Sequence, residues 1–158
     1  DVASQTVNEL QLDPGQQLLF SSIKYGEPYH ILSRAAWPLD METEVLLVTG
    51  IANPRPLKQY LHASAGTYYE MLYADHHIFT IDDWKEIVHR FNTIQASRKM
   101  ILTTEKDAVR LVKFGKQMAQ VPLYVIPIEM DWLFGAQDEL LPAIQNFIDG
   151  FQGNEMSN

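Results

Sequence analysis

The chain has 158 residues, 46% of them hydrophobic and 20% charged, with no cysteine and a formal net charge of −8. That length suits one domain with a real core, and the lack of cysteine excludes disulfides, Cys-type zinc sites and thiol catalysis. The acidic balance argues against a nucleic-acid partner, which needs a basic face, and no apolar run approaches the roughly 18 residues of a membrane span.

The opening stretch, DVASQTVNELQLDPGQQ, is polar, has no initiator methionine or opening strand, and reads as the middle of a longer protein. Two β-like runs follow, QQLLFSSIKY and EPYHILS, and the turn chemistry of Gly26-Glu27-Pro28 between them predicts an antiparallel hairpin over about 17–24 and 28–34. RAAWPLDMETE reads as a linker, so residues 1–43 are expected to be a joining region and 44–158 an α/β domain. EVLLVTG is a short continuous apolar run of the buried parallel type. NPRPLKQYLHASAG reads as a helix, TYYEMLYA as a strand, and TIDDWKEIVHRFNTI as a helix with Ile81, Trp84, Ile87, Val88 and Phe91 at helical spacing. KMILTT, EKDAVRLVKFG, PLYVIPIEM and AQDELLPAIQNFIDGF continue the alternation as strand, helix, strand and closing helix.

Four strand-helix units predict a small parallel-sheet α/β/α sandwich with strands near 44–49, 67–74, 99–103 and 122–127, the hairpin standing at its N-terminal side. Loops leaving the carboxyl ends of parallel strands share one edge, where open α/β sheets bind ligands. Those loops are TGIANPRP, ADHHIFT, TTEKD and IEMDWLFG.

Asp75-His76-His77 opens the most telling of them. Adjacent residues on extended backbone point to opposite sides, so the two histidines are not a chelating pair, and no other His or Cys completes a ligand set; no metal site is expected. Thr80 with Asp83 three residues on has the pattern of a helix N-cap. A histidine at a strand's carboxyl end can carry or orient a proton near neutral pH. In GIANPRP, Gly50 permits a tight turn, and Asn53 caps the next helix or faces a phosphate at its N-terminus. In TTEKD, Thr104 and Asp107 again look like a cap, while Lys106 in the first turn opposes the helix macrodipole, as a cation does when it meets a carboxylate or phosphate. Arg55, Lys58, Arg110 and Lys113 also lie near these loops. No G-x-x-x-x-G-K-[ST] and no G-x-G-x-x-G occurs, so the chain carries no nucleotide-phosphate cradle of its own.

VTGIANPRPL, ADHHIF and LTTEKDAVRL, in this order, resemble the C-terminal half of the tetraacyldisaccharide 4'-kinases, over roughly Glu44 to Ile128. Leu57 stands where that family often has phenylalanine, and Ala74 where a proline often precedes the Asp-His pair. The resemblance implies an ATP-dependent kinase that phosphorylates the 4'-hydroxyl of tetraacyldisaccharide 1-phosphate to give lipid IVA, at the cytoplasmic face of the inner membrane of Gram-negative bacteria. It implies that ATP and Mg2+ are bound mainly by an N-terminal P-loop half, the partner of this one, and that this chain alone binds no cofactor and is inactive. It also implies that His76, with Asp75, is catalytic, supporting a carboxylate of the other half. His77 is then expected to face the sheet or solvent and be dispensable, unless its ring packs against Phe79. Asn53, Glu105, Lys106 and Asp107 are the residues expected to face substrate or phosphate, with Glu105 and Asp107 positioning Lys106. A non-catalytic α/β interaction module is the alternative; a free-standing dinucleotide enzyme fits poorly, because no glycine fingerprint opens a βα unit.

Overall fold

The computed structural model describes residues 9–119 and 121–155. The absence of a strand expected for the opening stretch falls, for its first eight residues, outside the described ones. The chain divides into two compact units, residues 25–129 and the two termini, 1–24 with 130–158.

The larger unit holds strands β2 (Tyr29–His30), β3 (Glu44–Thr49), β4 (Thr67–Leu72), β5 (Lys99–Thr104) and β6 (Leu123–Ile126). Their order in the sheet is β2-β6-β5-β3-β4, with β3 to β6 parallel and β2 antiparallel on the edge. The four expected parallel strands therefore exist within two residues of their predicted limits. Helices α1 (Arg55–Ser64), α2 (Ile81–Thr93) and α3 (Glu105–Leu111) follow β3, β4 and β5, and a 3-10 turn at Val112–Phe114 and short α4 (Gly115–Met118) lead on toward β6.

Both faces of the sheet are covered, which is why its strands read as unbroken apolar runs rather than alternating ones. On one face Leu46, Val48, Ile101, Leu123 and Val125 pack against Phe79, Trp84, Ile87 and Phe91 of the α2 region and Leu111 of α3. On the other, Val45, Leu47, Met100, Leu102 and Ile126 meet Leu57 and Leu61 of α1. Leu57 and Leu61 are fully buried, each contributing about 2 kcal/mol on burial. α2 starts with a complete capping box, the Thr80 hydroxyl accepting from the Asp83 N–H and the Asp83 carboxylate from the Thr80 N–H.

Two sequence expectations change. The strands on either side of Gly26 do not pair with each other: β1 (Phe20–Tyr25) forms a two-stranded sheet with β7 (Ile128–Leu133), and β2 joins the main sheet. A tight two-residue hairpin needs a positive φ, and Gly26 does not adopt one; its N–H donates instead to the Pro127 carbonyl at 3.1 Å. The compact unit of residues 25–129 includes β2. The segment IEMDWLFG is likewise mostly strand rather than loop. Pro127 offers no N–H to a ladder, so the run LYVIPIEM breaks there and resumes as β7.

In the unit of the termini, Phe20 and Phe134 meet edge to face with centroids 5.6 Å apart. Helix α5 (Ala136–Glu155) carries Asp138 and Glu139 in its first turn, where the macrodipole favours them. No helix among the described residues is long and apolar enough to cross a membrane.

Candidate functional site

The carboxyl ends of β3 and β5 converge around one buried carboxylate. Asp107, in the first turn of α3, has no exposed surface. Its Oδ2 accepts from the Thr49 hydroxyl, the Gly50 N–H and the Thr104 hydroxyl, each at 2.9 Å. Its Oδ1 lies 3.4 Å from Nη1 of Arg110, three residues on along the helix. A buried charge persists only when paired and hydrogen-bonded, and these four donors meet that condition. Gly50 is required by close approach: a Cβ there would stand 2.8 Å from the Ala74 carbonyl oxygen and 3.5 Å from the His77 Cβ. The β3 and β4 loops thus touch at a position with no room for a side chain.

The Asp75-His76-His77 turn lies against this knot. β4 ends at Leu72, and His76 has φ +62°, so the backbone is not extended through the histidines. That left-handed conformation costs a non-glycine residue about 1–2 kcal/mol. The rings still separate, but through the turn rather than a strand's alternation. His77 turns inward, stacked on Tyr73 at 4.6 Å and edge-on to Phe79 at 5.1 Å. Its Nε2 is 2.9 Å from Asp83 Oδ2, the same oxygen that accepts the Thr80 N–H and hydroxyl. Burial pushes the Asp83 carboxyl up, but the Thr80 N–H, the His77 ring and the Thr80 hydroxyl outweigh it, and its pKa lies below the ordinary 3.8. Burial, with Asp83 and Glu86 nearby, pushes the Tyr73 phenol up to about 12. His77 thus lies toward the sheet, one of the two expected directions, and its ring packs against Phe79 and ties the turn to the cap of α2.

His76 is the opposite case, with 73% of its side chain exposed. Its N–H donates to Asp75 Oδ1 at 3.0 Å, Nδ1 lies 3.2 Å from Arg110 Nη2, and Nε2 lies 3.5 Å from Asp75 Oδ2. Lys106 Nζ donates to Asp75 Oδ1 at 2.6 Å. This bond is the main reason the Asp75 carboxyl sits below the ordinary range, against a smaller upward push from desolvation and with further help from His76.

The remaining candidates separate. Lys106 does find a carboxylate, but it is Asp75 of the neighbouring turn, not Glu105 or Asp107. Glu105 accepts from the Tyr29 hydroxyl at 3.3 Å and the Ile128 N–H at 3.4 Å. Asp107 cannot face a substrate or phosphate, because it is buried and already bonded. Asn53 is exposed and its Oδ1 accepts from the Arg55 N–H at 3.2 Å in a local turn; the N-cap of α1 is Pro54, so the expected capping by Asn53 is not found. His76, Asp75, Lys106 and Arg110 are thus brought together, and Asn53 makes no hydrogen bond to any of them. Arg110 stood out in the sequence only as one of several cations near these loops; its i, i+3 spacing from Asp107 is the signal that could have paired the two.

The family model of tetraacyldisaccharide-1-P 4'-kinase, LpxK, matches residues 4–149. The chain belongs to that family. It is 33% identical over 152 residues to a tetraacyldisaccharide 4'-kinase of Bacteroides thetaiotaomicron, covering 88% of this chain and 40% of that protein. It is 32% identical over 146 residues to the one of Phocaeicola vulgatus, covering 89% and 40%. The chain therefore spans about 40% of the length of the curated relatives it matches. A crystal structure of LpxK from Aquifex aeolicus in complex with ATP aligns with a TM-score of 0.49 at 14% identity, over 90% of this chain and 40% of that one.

The backbone and hydroxyl donors where β3 ends and α3 starts are taken by Asp107. Among the described residues no three His, Cys, Asp or Glu side chains group to hold a metal ion.

Proposed function

We propose that this chain serves an ATP-dependent tetraacyldisaccharide 4'-kinase as its C-terminal α/β part. That enzyme transfers the γ-phosphate to the 4'-hydroxyl of a tetraacyldisaccharide 1-phosphate, giving lipid IVA, at the cytoplasmic face of the inner membrane. ATP and Mg2+ are held by an N-terminal P-loop half. The family match and the share of the relatives' length support this division, as does the lack of any P-loop motif in the sequence.

The observation that carries the reading is His76, an exposed imidazole on a braced left-handed turn at the sheet's carboxyl edge. Phosphoryl transfer to an alcohol requires the hydroxyl proton to leave as the new bond forms. A carboxylate base carried by the other half gains orientation from a fixed imidazole, and closure of the two halves assembles the pair. Asp75 and Lys106 keep the turn that carries the ring in place.

The test is ATP-dependent phosphorylation of tetraacyldisaccharide 1-phosphate. The intact kinase carrying this chain turns the substrate over, and the purified 158-residue chain does not. Turnover by the chain alone, or none by the intact protein, contradicts the proposal.

A further inference from the structure

The geometry points to Arg110 as a positioning residue that holds His76 in a single tautomer, with its proton on Nε2, so that the ring offers a donor rather than a base. This rests on the reading of His76 given above. A guanidinium has donors only. Its Nη2 lies 3.2 Å from His76 Nδ1, so Nδ1 must supply a lone pair. Whenever this contact is made, the one ring proton is on Nε2.

The guanidinium is itself fixed. Nη1 is held at 3.4 Å by Oδ1 of Asp107, whose other oxygen is anchored by Thr49, Gly50 and Thr104. The Arg110 side chain is only 25% exposed. The planar fork serves two partners at once, which a lysine ammonium, a point charge on a flexible stem, does not reproduce. The buried knot of two strand ends is thereby connected to an exposed imidazole through one side chain. The backbone contributes as well: at φ +62°, His76 donates its N–H to Asp75, which Lys106 holds.

The consequence is chemical. A ring protonated on Nε2 with Nδ1 occupied cannot take the sugar hydroxyl's proton at Nδ1. It can hydrogen-bond an acceptor such as a carboxylate through Nε2–H. His76 then orients a base instead of being one; Arg110 at Nδ1 fixes that form, and Asp75 Oδ2, 3.5 Å from Nε2, favours it as well.

Side-chain 1H–15N correlation spectra of the 158-residue chain test this at about pH 8.5, roughly two units above the usual imidazole range. His76 should appear as the Nε2–H tautomer. In Arg110→Met its two ring nitrogen shifts should move toward each other as both tautomers populate. Arg110→Lys keeps the charge opposite Asp107 but loses the fork, and should release the ring in the same way if the methionine variant fails to fold. An Nδ1–H ring in the native chain overturns the inference, as do unchanged shifts in both variants. In the intact kinase, Arg110→Lys should lower kcat on the order of 10-fold with KM nearly unchanged, less than the about 10²- to 10⁴-fold of a group assisting proton transfer. A raised KM with kcat preserved makes Arg110 a substrate ligand and also overturns it. If His76→Ala leaves kcat intact, the reading of His76 fails, while the spectra decide the tautomer on their own.

Discussion

Two turns on the same edge of the sheet look alike in sequence and differ in what they do with their charges. The turn into α3 spends its carboxylate inward: Asp107 is buried with four donors around it. The turn after β4 keeps its chemistry outward, with His76 largely exposed and Asp75 and Lys106 bracing it. Within that second turn the division repeats between adjacent histidines, His77 being tied to the α2 cap and His76 left open. A polar residue at a strand's carboxyl end is thus part of the scaffold or of the site according to whether its own chain already satisfies it.

Substitutions can break this contrast, most severely at its buried end. Asp107→Ala strands the Thr49 and Thr104 hydroxyls, the Gly50 N–H and Arg110, and should cost about 3–5 kcal/mol in urea unfolding. A loss below about 1 kcal/mol shows the knot does not hold the loops. Gly50→Ala forces a Cβ against the Ala74 carbonyl and should cost about 2 kcal/mol; the same variant with unchanged stability removes the close approach from the account. His77→Ala loses two ring contacts and a bond to the cap, for about 1–2 kcal/mol by the same measurement.

Titration sharpens the contrast at the cap. The folded pKa of Asp83 is depressed below 3.8, so its charge contributes stability that is present above about pH 4 and lost as pH falls through the folded value. The gap in unfolding midpoint between the native chain and Asp83→Asn should be constant from pH 7 to about pH 5 and close below about pH 4. A gap that widens on acidification contradicts the assigned sign. The smallest stability effect belongs to the open histidine. His76→Ala should change stability by less than about 0.5 kcal/mol, and His76→Gly should raise it slightly by relieving the positive φ.

The four parallel strands were legible because each apolar run is short, continuous and bounded by turn residues, and local pattern suffices to mark it. The partner of β1 was not, since β7 lies about a hundred residues on and Gly26-Glu27-Pro28 carries the composition of a turn without its dihedral angles. The Thr80–Asp83 cap was readable from spacing alone. The same spacing at Thr104–Asp107 concealed that the carboxylate is buried, because its hydrogen bonds come also from the end of a distant strand, β3. That the two histidines point apart followed from a strand alternation that does not operate there, and His76 was singled out by the family resemblance; a positive φ at His76 sets the separation, and no residue type in ADHHIF announces that conformation. Arg110 was visible as a charge and not as a neighbour of His76, from which it is separated by 34 residues.

The outward-facing role of His76 is tested most directly by kcat of the intact kinase carrying His76→Ala. A fall of about 10²- to 10⁴-fold with KM little changed is the predicted result, since the group acts on proton transfer in the transition state. An unchanged kcat, or a loss confined to KM, contradicts it.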